Sequence, residues 1–248
     1  MNILQYIDFD KVALPLLKEI SVAISLWLKG APRSESALTN RITELLGRER
    51  RQCEVGVYPG TTLKLEKYLL DRQALDNSDL YGADIAITVI VNSPSSSIIK
   101  TALIQLKVSD DFEVRLDFRQ MLDGIINTIT AERAFVLAVD RERRGAIRVR
   151  MTKEIYDPHS SFQTRGFNTE NWMTFTPWLH DWLACRIGAP SDPTDPRSIE
   201  TALSKLVNYY GATPDEVFSE MDLRILQVQQ WFKFTVSTRH DIAGEERR

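Results

Sequence analysis

Residues 84–108 read DIAITVIVNSPSSSIIKTALIQLKV, and this stretch decides the fold. Its opening part alternates around Ile85, Ile87, Val89 and Val91. These four share one side of an extended chain, because strand side chains repeat every two residues. The serine-rich NSPSSS that follows is a loop. IIKTALIQLKV then reads as a second strand. So short a loop joins strands antiparallel, and a hairpin is expected.

Upstream of the hairpin the period is helical. Residues 9–28 place Val12, Leu16, Leu17, Ile20, Ala23 and Ile24 on one stripe, which Gly30 and Pro32 end. Ser34 is an N-cap candidate for a second helix with Leu38, Ile42, Leu45 and Leu46 inward and Gly47 as its stop. QCEVGVYPG alternates and ends in a turn. TTLKLEKYLL fits a strand or a helix equally.

Downstream, residues 118–130 have a helical stripe at Met121, Leu122, Ile125 and Ile126. RAFVLAVD is continuously apolar, as expected of a strand covered on both faces. GAIRVRM alternates and pairs with it across the RERRG turn. PHSSFQTRGFNTEN reads as loop. Three segments then read as helices: TFTPWLHDWLACRIG, RSIETALSKLVNYYG and TPDEVFSEMDLRILQVQQWFKFTVS. In the last of these, proline at the first helical position marks the start. The expected class is α/β, a central mixed β-sheet flanked by helices with a helical C-terminal extension. Residues 1–155 would form the core with its N-terminal helices. Residues 156–248 would form the extension, packed on the core as one domain.

The bulk numbers fit an ordinary globular chain, with 43% hydrophobic and 26% charged residues. A formal charge of −3 over 248 residues excludes a globally basic nucleic-acid binder. Residues 1–150 carry 21 basic and 20 acidic side chains, against 10 and 14 in residues 151–248. A nucleic-acid surface must therefore be local, and the first part is the place for it. Two cysteines, Cys53 and Cys185, build no disulfide framework and no CxxC zinc pair. Residues 12–28 are too short and, with Lys18 and Glu19, too charged to span a bilayer. The expectation is a cytoplasmic protein with no membrane partner.

Three features carry chemistry. Glu35 opens the second helix, Asp84 opens a strand, and Gln105-Leu106-Lys107 ends the next strand. Gln105 and Lys107, two apart, project to one face. In a hairpin, Asp84 meets them at one end of the sheet. A carboxylate, an amide oxygen and an ammonium together suit metal-assisted phosphodiester cleavage. Mg²⁺, with Mn²⁺ as the alternative, takes hard oxygen ligands and keeps several waters. Asp84 and Gln105 offer such oxygens, the Leu106 carbonyl adds another, and Glu35 reaches the metal directly or through water. Lys107 orients the attacking water or stabilises developing charge. The plainer readings are a turn residue for Asp84, a solvated strand end for Lys107 and a first-turn acid for Glu35.

This set resembles the PD-(D/E)xK, or restriction-endonuclease-like, nuclease superfamily. Glu35-Ser36-Ala37-Leu38-Thr39 resembles the helical Glu motif, Gly82-Ala83-Asp84 the Asp motif, and Gln105-Leu106-Lys107 the third motif. The helix from Phe118 and the strand RAFVLAVD take the remaining places, so the resemblance covers roughly residues 30–150. It implies a restriction-endonuclease-like core and an Mg²⁺-dependent endodeoxyribonuclease. It also implies a role in bacterial restriction or anti-phage defence, as a homodimer or as a partner subunit of a defence system. Gln105 stands where the family pattern has an acid, which removes one negative charge. The alternative is a catalytically inactive nuclease-like module for nucleic-acid binding or assembly.

Arg141, Arg143, Arg144, Arg148 and Arg150, with Lys153, form the most basic stretch. They would contact DNA phosphates, or else form a solvated hairpin, since Asp140, Glu142 and Glu154 interleave. Trp172, Phe175, Trp178 and Trp182 would stack bases or pack inward. The four-residue spacing of Trp178 and Trp182 on one helical face favours packing.

Overall fold

The computed structural model describes residues 2–30, 33–46, 53–54, 60–69, 83–94, 97–117, 132–156, 164–191 and 230–239. Helix α1 runs Phe9–Lys29, with Asp8 as its N-cap accepting the Asp10 and Lys11 N–H groups and Gly30 as its C-cap. Helix α2 runs Glu35–Leu46. Ser34 Oγ accepts the Ala37 N–H, so the expected cap is in place. The strands are β1 (Cys53–Glu54), β2 (Thr62–Leu69), β3 (Ile85–Asn92), β4 (Ser97–Ser109), β5 (Glu113–Asp117), β6 (Ala134–Asp140) and β7 (Ile147–Met151). After the short α3 (Thr152–Ile155) come β8 (Thr164–Asn168), β9 (Met173–Thr174), α4 (Phe175–Leu183) and β10 (Gln230–Ser237).

Among the described residues, eight strands form one mixed sheet in the order β1-β2-β10-β3-β4-β6-β7-β9, and β5 and β8 pair separately. The β3–β4 hairpin is antiparallel, from Ile85↔Ile104 to Asn92↔Ser97. Strand β6 lies parallel to β4 and buries every residue, as its unbroken apolar run requires. Strand β7 returns antiparallel to β6 across the arginine-rich turn. Within the ambiguous TTLKLEKYLL, Thr62–Leu69 is a strand, fixed by pairing with β10. The helix expected at residues 118–130 and the segments 192–229 lie outside the described residues.

Two expectations are corrected. Residues 230–237 are not the end of a helix: QWFKFTVS is an interior strand, antiparallel to β2 and parallel to β3. Phe232, Phe234 and Val236 fall on one face and Trp231, Lys233 and Thr235 on the other. This period of two, rich in aromatic and β-branched residues, outweighs the helical pattern before it. The last third is therefore not simply a helical extension, because it supplies a strand near the middle of the main sheet. The loop read through residues 158–171 also contains β8, which pairs with β5.

The main core lies between one face of the sheet and helices α1, α2 and α4. Trp27, Leu38, Leu106, Phe135, Trp178, Trp182 and Phe232 are all at most 2% exposed. On the opposite face, Val114 and Leu116 of β5 close over Val136 and Ala138 of β6, with Ile155 and Trp172. On the three middle strands, Trp231 Nε1 donates to Thr88 Oγ1, which lies 2.7 Å from Thr101 Oγ1, so buried polar groups are paired. Among the described residues, no helix is long and apolar enough to cross a membrane.

Candidate active site

The site begins with a mismatch in strand length. The β3–β4 ladder stops at Ile85↔Ile104, while β4 continues to Ser109 beside β6. Beyond Ile104, one edge of β4 has no strand from β3 to pair with. Its amides must find other acceptors, since an unpaired buried N–H is costly. Two carboxylates fill the gap. Asp84 anchors its own N–H on the Ile104 carbonyl at 2.8 Å and accepts the Leu106 N–H at Oδ2, 2.7 Å away. Glu35 Oε1 accepts the Val108 N–H at 3.4 Å. Residues 106 and 108 are two apart, so their N–H groups leave the same edge of the strand. The C=O of Leu106 leaves on that edge as well, because a strand residue's N–H and C=O point the same way.

Lys107 completes the cluster. Its Nζ donates to Glu35 Oε2 at 3.1 Å, with the lysine side chain 13% exposed and the glutamate 43%. The start of α2 holds Glu35 in place. Trp27 Nε1 of α1 donates to the Ser34 carbonyl, and Thr39 Oγ1 donates to the Glu35 carbonyl. Gln105 is buried and lies level with Asp84, one step past the last hairpin pair. The structure thus brings Glu35, Asp84, Leu106 and Lys107 to one strand edge, with Gln105 adjoining.

The donors on this edge are hard oxygens: two carboxylates, a backbone carbonyl and a neighbouring amide. Among the described residues, no three His, Cys, Asp or Glu side chains gather into a metal cage. Hard oxygens are the ligand class that Mg²⁺ and Mn²⁺ take, whereas Zn²⁺ is more often held by nitrogen and sulfur.

The arginine-rich turn sits at the same end of the sheet, since β4 and β6 are parallel and Arg141 N–H donates to the Ser109 carbonyl at 2.9 Å. Its charge is largely answered by the protein itself. Arg141 pairs with Asp110 and Arg143 with Asp111, which hold both guanidiniums above their ordinary range. Arg141 in turn holds the Asp110 carboxyl below its ordinary range. Arg150 pairs with Glu154 at 3.4 Å. Arg148 lies over the Phe112 ring at 5.4 Å, and Arg143 at 5.5 Å. Arg144, in a left-handed backbone conformation at φ 56, has no ion pair among the described residues.

Asp140 plays a part that its place in a charged run does not signal. It is fully buried and accepts from Ser109 Oγ and from the N–H groups of Phe112, Glu142 and Arg143. It therefore joins the end of β4, the turn before β5 and the β6–β7 turn. Lys100 is a second such residue. Burial lowers its ammonium pKa to about 8, against an opposing pull from Cys185, while its Nζ donates to the Ile187 carbonyl at 2.7 Å. Trp172, Phe175, Trp178 and Trp182 are all buried, and Trp178 stacks on Trp182 with ring centres 5.9 Å apart. They are core residues rather than a base-stacking platform.

Compared with known proteins, the chain matches no family model, no curated protein and no solved structure.

Proposed function

We propose that this chain is a metal-dependent nuclease that hydrolyses DNA phosphodiester bonds, with Asp84, Gln105, Leu106, Lys107 and Glu35 as its working residues. One observation supports it above the rest: two carboxylates and an ammonium meet along three residues of a strand edge. The order α2, β2, β3, β4, β6, with β3 antiparallel and β6 parallel to β4, agrees with a restriction-endonuclease-like core. Strand β10, between β2 and β3, is an addition to that plan.

In the proposed reaction a water oxygen attacks phosphorus as its proton passes to solvent, the P–O bond to the sugar breaks, and the leaving sugar oxygen takes a proton from solvent. A bound Mg²⁺ would lower the pKa of that water and neutralise phosphate charge. Asp84 and the Leu106 carbonyl would hold the ion, and the Gln105 amide would add a neutral oxygen. Lys107 donates from Nζ to the attacking water or to a phosphate oxygen, where charge develops. Glu35 keeps that ammonium at the strand edge before substrate arrives. Arg144 extends phosphate contact along the same end of the sheet. The proposed setting is bacterial restriction or anti-phage defence. Cutting both strands calls for two copies or a partner subunit.

Supercoiled plasmid tests the activity. Nicking in Mg²⁺ or Mn²⁺, and none in EDTA, is expected, whereas intact plasmid under all conditions overturns it. Gln105 in the acidic position and the lack of a third acid in the described cluster favour a second reading, a nucleic-acid-binding or assembly module. Gel-shift binding without cleavage in either ion would select that reading.

A further inference from the structure

We propose that Asp110 and Asp111 act as built-in phosphate mimics, occupying the Arg141 and Arg143 guanidiniums and holding the arginine-rich turn at low DNA affinity until DNA phosphates displace them. DNA as the ligand rests on the nuclease reading above, and the contact adds a restraint on binding beside that site.

Two turns face each other at this end of the sheet. One joins β4 to β5, where Asp110 and Glu113 exchange backbone hydrogen bonds at 2.9 and 2.8 Å. The other joins β6 to β7 and carries the arginines. Arg141 meets Asp110 as a fork: Nε donates to Oδ1 at 2.6 Å, and a terminal nitrogen donates to Oδ2. Arg143 directs Nε, at 2.8 Å, and a terminal nitrogen to Oδ1 of Asp111. A guanidinium fork takes a carboxylate or a phosphate through the same N–H groups. Each aspartate therefore fills the place that a phosphate would take. The four side chains are 37% to 60% exposed, so a DNA backbone reaches them without opening the fold. Ion pairs this exposed are weak, which lets phosphate exchange for carboxylate.

The backbone places the acids deliberately. Asp111 and Phe112 are both left-handed, at φ 47 and φ 64, as the two central residues of a type I′ turn are. Aspartate tolerates that conformation, whereas a bulky phenylalanine rarely adopts it. Phe112 is held there from several sides. Its N–H donates to Asp140 at 2.6 Å, and its carbonyl accepts the Thr169 N–H at 2.7 Å. Its ring lies against the guanidiniums of Arg143 and Arg148. Strain that the surroundings over-determine in this way is a pointer to function. Its effect here is to keep two carboxylates against two guanidiniums. Arg144, in the same turn and without an ion pair among the described residues, is left open for a first phosphate contact.

The test uses the full chain and a short labelled DNA duplex of mixed sequence, read by fluorescence anisotropy in EDTA across a salt series. The double variant Asp110→Asn, Asp111→Asn keeps the shape of both side chains, and asparagine tolerates the left-handed position. It is expected to bind about tenfold more tightly than the parent, with a slope of log affinity against log salt steeper by up to about two. Glu142→Gln removes one exposed charge from the same turn, where Glu142 makes no ion pair among the described residues, and is expected to gain less. With Arg141→Ala and Arg143→Ala already in place, the two aspartate substitutions are expected to change little. Asp111→Gly serves if the double variant does not fold, since glycine suits a positive φ. The proposal is overturned if the double variant gains no more than Glu142→Gln, or if its gain survives the loss of both arginines. Binding is read without metal, so either result stands whether or not the parent nicks plasmid, which tests the nuclease reading by itself.

Discussion

Lys107 and Glu35 stand 72 residues apart in sequence and meet at 3.1 Å, Nζ to Oε2, at the end of β4. The contact joins a helix start to a strand edge, and it is half open to solvent on the glutamate side. An ion pair whose carboxylate is this open to solvent adds about 1 kcal/mol at most to stability. Glu35→Gln should therefore leave urea unfolding nearly unchanged. It should slow plasmid nicking by about tenfold or more, since charge stabilisation at the reacting centre is lost. A large loss of stability with normal cleavage per folded molecule would make Glu35 a structural residue only.

Asp140 should behave in the opposite way. Four donors converge on its carboxylate in a fully buried position. Removing it leaves backbone N–H groups without an acceptor, and Asp140→Ala is expected to cost about 3 kcal/mol in urea unfolding. Cleavage per folded molecule should stay close to the parent at a permissive temperature.

Lys100 sets a pH dependence. Its pKa falls from 10.5 to about 8 because burial penalises the ammonium. Between these values the unfolded chain holds a proton that the native chain has released. Raising the pH from 8 towards 10.5 therefore favours the native state through this residue, by an amount of the order of 3 kcal/mol. Below about pH 8 the native state bears the full cost of the buried charge. Unfolding free energies across this window, with Lys100→Met as reference, should show a rise that the variant lacks. Parallel curves would contradict it.

Arg144 and Arg141 should separate in DNA binding. The Arg141 charge is answered by Asp110, whereas Arg144 has no ion pair among the described residues. Arg144→Ala should weaken binding and reduce the slope of log affinity against log salt by about one. Arg141→Ala should change that slope less.

The hairpin was legible in the sequence because its information is local. The alternation of Ile85, Ile87, Val89 and Val91 lies beside its partner strand, and Gln105 and Lys107 share a face by periodicity alone. The inward packing of Trp178 and Trp182 was legible for the same reason, from a four-residue spacing on one helix. Strand β10 was not, because its partners β2 and β3 lie more than 130 residues upstream and only the assembled sheet makes an extended 230–237 favourable. Nor was the neutralisation of the basic turn. Arg141 and Arg143 find Asp110 and Asp111 across a β4–β6 pairing that no short window contains. Asp140 reads in the sequence only as an acid interleaved with arginines, because the partners that define its buried role are mostly backbone N–H groups, which leave no side-chain signature. In the site itself, the residue types pointed to chemistry. The unpaired edge of β4, which explains why the two carboxylates gather there, became visible only with the strand ends.

The central claim rests on Asp84 and Lys107. The most direct measurement is the initial rate of plasmid nicking in Mn²⁺ for Asp84→Asn and Lys107→Met, beside the parent and at equal folded concentration. Each substitution removes a charge from the strand edge, and each should lower the rate at least about a hundredfold. Nicking within twofold of the parent in either variant would contradict the assignment.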